Sequence, residues 1–126
     1  MTEKVRVENG VVENSRALFA DALATMILKN QDYSGSNDGI KSMKNFRLAE
    51  EVVGIKMTQG ILVRITDKIA RIGNLLRTNA FVKDETIHDT IQDAINYLAI
   101  LNYAIMIEDL ERQGKMKCVD LEPSIE

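Results

Sequence analysis

Apolar residues recur at three- and four-residue intervals over most of this chain, the spacing of one face of an α-helix. From Val12 to about Asn30 the pattern is carried by Leu18, Phe19, Ala22, Leu23, Met26 and Ile27. Ala20 and Ala24 are strong helix formers there, and Asn14 or Ser15 offers a cap. Ser42 to Val53 predicts a short helix, with Ser42 as N-cap, Gly54 just past its end, and Phe46 with Leu48 or Ala49 as anchors. A third helix is expected from a Thr58 cap to about Thr78. Its broad apolar face is Ile61, Leu62, Ile65, Ile69, Ile72 and Leu76, and Arg64, Asp67, Lys68, Arg71 and Asn74 fall opposite. The last helix runs from about Glu85 to about Arg112, where Gly114 stops it. Ile87, Ile91, Ala94, Ile95, Leu98 and Leu101 share one side; Glu85, Asp89, Gln92, Asp93 and Asn96 share the other.

The remaining stretches read as connectors. Residues 1–11 form a polar arm, 12–112 a single helical domain and 113–126 a tail. Lys29 to Gly39 is rich in small, turn-forming residues and reads as a loop. The predicted fold is all-α: an antiparallel helical bundle of three main helices plus one short helix. Three amphipathic helices make a thin bundle, so completion by oligomerisation is expected, as a dimer or higher. The last helix is long for a compact domain, and its second half is the candidate for such contacts.

Composition narrows the function. With 45% hydrophobic and 5% aromatic residues and no Trp, the core must be aliphatic and Met-rich. The formal net charge of −3 gives no pull toward a nucleic acid polymer or an anionic membrane. Cys118 stands alone, so neither an internal disulfide nor a cysteine-based zinc cluster can form. No apolar run approaches membrane-spanning length and no secretory signal pattern opens the chain, so a soluble cytoplasmic protein is expected. His88 is the one histidine and is expected to be exposed. There is no glycine-rich dinucleotide fingerprint and no P-loop.

Oxygen-ligand and phosphate chemistry remains. Glu85, Asp89 and Asp93 follow at four-residue steps, and such like-charged neighbours cost about 0.2–0.5 kcal/mol per pair unless something positive is near. The partner could be a metal ion, a basic side chain from another helix, or solvent counterions. As a metal site, Asp89 and Asp93 would hold Mg²⁺, with Glu85 or Asp32 joining them. Lys29, Arg64, Lys68 and Arg71 would bind phosphate oxygens, and Tyr33 or Asn96 would orient a base or sugar. Asp67 can instead pair with Arg64 and Arg71 within its own helix. The plain alternative is that both charged stripes are solvated faces of a helical interaction protein. If a site exists, the basic stripe of the third helix and the acidic stripe of the fourth should converge on one cleft, rimmed by Lys29, Asp32 and Tyr33.

Four segments occur in order: Lys29-Asn30-Gln31-Asp32-Tyr33, Asn45-Phe46-Arg47, Gly60 to Ile72, and Asp84 to Tyr97. This order resembles the small all-α phage and bacterial proteins called nucleotide modification associated domain 1, over roughly residues 12–110. The resemblance implies a role in nucleotide metabolism, in host cytoplasm if the protein is phage-encoded. In shape the chain is also similar to the all-α nucleoside triphosphate pyrophosphohydrolases of MazG and dimeric dUTPase type. Those hold Mg²⁺ with acidic residues from two helices and cleave a triphosphate to monophosphate and pyrophosphate. They carry Glu-x-x-Glu on one helix and Glu-x-x-Asp on another; here the third helix offers basic residues with a single Asp67, and Glu50-Glu51 has a different spacing. The resemblance thus implies a Mg²⁺-dependent pyrophosphohydrolase acting on a nucleotide. The alternative is a non-catalytic protein that sequesters a signalling nucleotide.

Overall fold

The computed structural model describes residues 3–34, 43–78 and 86–115, all helical or in short turns. Five helices follow in order: α1 (Glu3–Glu8), α2 (Gly10–Ser34), α3 (Lys44–Val53), α4 (Met57–Thr78) and α5 (Thr86–Arg112). There is no strand among the described residues.

The boundaries correct the sequence reading in three places. Part of the expected N-terminal arm is the short helix α1, joined to α2 through Gly10, whose φ of 86° requires a residue without Cβ. The stretch expected to be a loop from Lys29 is helical through Ser34. Lys, Asn, Gln, Asp and Tyr are all tolerated in a helix, and no strong breaker comes before Gly35. Thr58 is the second residue of α4 rather than its cap. Its backbone N–H and hydroxyl both donate to the Glu108 carboxylate, at 3.1 and 2.9 Å. Ser42, expected to cap α3, lies outside the described residues. Gly54 does end α3, in the left-handed conformation with its N–H on the Glu50 carbonyl.

Helix α5 is the centre of the molecule. Its most extensive packing is against α4, and α2 lies along it as well; α3 packs on α4. The paired residues Thr58–Glu108, Arg64–Tyr97 and Lys68–Asp93 show that α4 runs antiparallel to α5. The pairs Ala22–Asn96 and Lys29–Asp93 show the same for α2. The principal core lies between α3, α4 and α5: Met43, Met57, Ile61, Ile65, Ala104 and Ile107, with Phe46, Tyr97, Ile100 and Leu101 packed against it. Gly60 lets α3 approach α4, since a Cβ there would stand 3.3 Å from that of Ala49.

This core is shallow. Of the apolar face expected on α4, Ile61 and Ile65 are buried, while Leu62, Ile69 and Leu76 are more than half exposed. On α2, Ala22 is buried, but Phe19 and Leu23 are exposed. The whole chain exposes 9131 Å², a total to which residues outside the description also contribute. A compact monomer of 14.2 kDa exposes about 6,800 Å².

Candidate functional site

The two charged stripes meet. Asp93, one helical turn after Asp89 on α5, receives a lysine from either side. Lys29 on α2 places its Nζ 3.3 Å from Oδ1, and Lys68 on α4 places its Nζ 3.4 Å from Oδ2. The local reason is the antiparallel register: both flanking helices bring the C-terminal part of their sequence to the N-terminal part of α5. Half-exposed lysines span such a gap because their long stems lie along apolar surface while the ammonium stays hydrated.

One turn further along α4, Arg64 has no ion-pair partner among the described residues. Its guanidinium lies 5.4 Å from the centre of the Phe46 ring, and its Nη1 donates to the Tyr97 hydroxyl at 3.4 Å. Lys68 also lies over the Tyr97 ring, at 5.9 Å. Phe46 and Tyr97 meet edge to face with centroids 6.5 Å apart. Cation–π contacts of this kind are worth about 0.5–1 kcal/mol each where exposed. The result is a charged patch in which Arg64 and Lys68 lie over two aromatic rings, and Lys29 and Lys68 meet one carboxylate.

The other predicted residues are distributed as follows. Arg71 and Asp89 are exposed, and neither forms an ion pair among the described residues. Asp67 is likewise exposed and pairs with neither Arg64 nor Arg71. Asn96 is buried and donates to the Ala22 carbonyl at 2.9 Å, so its amide fastens α2 to α5. Gln92 accepts from the Thr25 hydroxyl at 3.1 Å. Part of the polar face of α5 is therefore packed against α2. His88 is exposed. Asp32 and Tyr33 lie within α2, but their side chains fall outside the description, as does Glu85.

For Mg²⁺ the described residues fit poorly. Each oxygen of Asp93 already faces an ammonium group, and no three His, Cys, Asp or Glu side chains converge among the described residues. Hard divalent ions take six or more oxygens, several of them from water or substrate phosphate. The patch as arranged suits an anion.

A second charged cluster, unforeseen in the sequence, sits where the α3–α4 turn meets the C-terminal half of α5. Arg47 pairs with Glu50 at 3.1 Å and also with Glu111. Glu50 accepts from the Met57 backbone N–H at 2.9 Å, and Glu108 caps Thr58. Arg47, Glu50, Glu108 and Glu111 border a cavity of about 470 Å³ together with Gly54, Ile55, Lys56 and Arg112. Its carboxylates complete the N-terminus of α4, which leaves orphan N–H groups and a positive dipole end. The signal in the sequence was Glu108-x-x-Glu111, one turn apart on the long helix, with Arg47 and Glu50 at the matching spacing on α3. The cavity lies where α4 begins, about ten residues along that helix from the Lys68–Asp93 pair.

Searches found no protein family, no curated protein and no solved structure that matches the chain.

Proposed function

We propose that the protein binds a phosphorylated nucleotide on the charged patch of Lys29, Arg64 and Lys68. The observation that carries this reading is the pair of lysines, drawn from two different helices, on the single carboxylate of Asp93. Two ammonium groups and a nearby unpaired guanidinium exceed what one carboxylate neutralises. A phosphate chain entering beside Asp93 would take the surplus charge, with Arg71 further along the same stripe. The Tyr97 and Phe46 rings beneath the cations offer an apolar surface for a base. The resemblance of the motif order to nucleotide modification associated domain 1 would imply the same ligand class.

Binding without turnover is the first form of this reading. Hydrolysis with Mg²⁺ is the second, implied by the resemblance to the pyrophosphohydrolases; the two lysines on Asp93 do not favour it. Oligomerisation belongs to both forms.

A thermal-shift screen of ribo- and deoxynucleotides, with and without Mg²⁺, tests the reading. A ligand at a hundred times its dissociation constant stabilises the native state by about 2.7 kcal/mol. For a domain of this size that raises Tm by roughly 10 °C or more. Phosphorus NMR of the same mixtures separates binding from turnover. If no nucleotide raises Tm, the stripes are solvated faces and the proposal falls.

A further inference from the structure

Asp93 reaches Lys29 and Lys68 at once. Lys29 donates to its Oδ1 at 3.3 Å, and the Lys68 Nζ stands 3.4 Å from its Oδ2. The three side chains come from three helices, α2, α4 and α5. They differ in reach. A lysine ammonium rides on a flexible four-carbon stem, whereas an aspartate carboxylate stays within one carbon of its helix. Lys29 is about half exposed and Lys68 about a third, so both heads can turn toward solvent. Asp93 is about a third exposed as well, and water can hydrate its carboxylate when the lysines leave it.

We propose that Asp93 is an internal competitor for the ligand: it holds Lys29 and Lys68 in the free protein, and a bound phosphate draws both ammonium groups away from it. This inference rests on the nucleotide reading for its ligand, but uses only the phosphate. Three observations support it. The place between the two ammonium groups is held by a carboxylate, which carries one charge. A phosphate group carries about 1.5–2 at neutral pH and offers three strong acceptor oxygens, so it is the stronger partner for the same two lysines. Next, α2 does not depend on Lys29 for its attachment. Asn96 donates to the Ala22 carbonyl and Gln92 accepts from Thr25, so α2 stays on α5 when Lys29 turns away. Finally, Arg64, one turn from Lys68, faces the Phe46 ring and the Tyr97 hydroxyl rather than a carboxylate. An anion held by Lys68 therefore meets Arg64 without a second competitor.

The sign of one substitution separates this role from the alternatives. Asp93→Asn keeps the size of the side chain and removes its charge. Loss of a competitor tightens binding, whereas loss of a metal ligand or of a group that positions the lysines weakens it. Calorimetric titration of nucleoside triphosphates and of inorganic tripolyphosphate, at low ionic strength, is the test. Asp93→Asn should bind both kinds of probe about fivefold tighter or more. Asp67→Asn makes the same change in net charge at an exposed carboxylate that pairs with neither lysine, and should change affinity by no more than about twofold. As a second readout, one concentration of tripolyphosphate should raise the Tm of Asp93→Asn more than that of the wild type. Weaker or unchanged binding by Asp93→Asn, with or without Mg²⁺, would overturn the proposal, and so would an equal gain from Asp67→Asn. If tripolyphosphate behaves as expected while no nucleoside triphosphate binds, the competitor role stands and the nucleotide reading falls. If no probe binds the wild type or the variant, both fall.

Discussion

Two charged clusters along the α4–α5 pair use similar residues to opposite effect. At the α3–α4 turn, Arg47, Glu50, Glu108 and Glu111 are engaged with one another and with the first backbone N–H groups of α4. Midway along α4, Lys29 and Lys68 share one carboxylate and Arg64 faces rings and a hydroxyl. The first cluster is closed: two carboxylates share Arg47, and Glu50 and Glu108 accept from the backbone N–H groups that open α4. The second is open, with cations in excess and only half covered. Charge counted along a sequence does not separate the two cases; what each group touches does.

The largest effect should come from the closed cluster. Arg47→Ala leaves Glu50 and Glu111 facing each other with the arginine gone, at a site where its side chain is 13% exposed. Breaking such a pair by removing one partner costs about 3 kcal/mol, read as a lower midpoint in urea unfolding. Glu108→Ala removes both the Thr58 hydroxyl bond and the cap of its N–H, and should cost about 1–2 kcal/mol in the same measurement. Next comes Gly54→Ala. Its space is open, but φ is 72°, so backbone strain alone should cost about 1 kcal/mol. The smallest effect is expected at the open cluster. Lys29→Ala and Lys68→Ala should each change stability by less than about 1 kcal/mol, because exposed pairs gain little over hydration. Should Lys68→Ala prove more costly than Arg47→Ala, the distinction between the two clusters is lost.

The helices were legible because apolar spacing survives whatever each face ends up touching. Their ends were less so. Lys29-Asn30-Gln31-Asp32-Tyr33 is polar enough to resemble a loop, yet it is helical through Ser34. Asn96 and Gln92 looked like solvated polar positions because residue type does not reveal a neighbouring helix; α2 packs against them and takes up their hydrogen bonds. The meeting of Lys68 with Asp93 followed from two amphipathic helices sharing one core, which brings the edges of their charged stripes together. Lys29, expected at the rim of the cleft, reaches Asp93 from α2, and that contact depends on how α2 packs on α5 rather than on any local pattern. Glu108 and Glu111 were missed for a related reason. On a helix, Glu-x-x-Glu also describes an ordinary solvated face, and its partners lie some fifty residues or more away. The apolar stripe of α4 was legible as apolar, but only Ile61 and Ile65 of it are buried, because spacing does not reveal how far a neighbouring helix covers a stripe.

The central claim is that the open cluster is open to a phosphate ligand. Calorimetric titration of nucleoside triphosphates into the wild type and into the Lys29→Ala/Lys68→Ala double variant tests it directly. The expected result is saturable binding to the wild type and at least tenfold weaker binding to the variant, while its helical content and cooperative unfolding are retained. Equal affinity in the two proteins, or no binding to the wild type by any triphosphate, would contradict it.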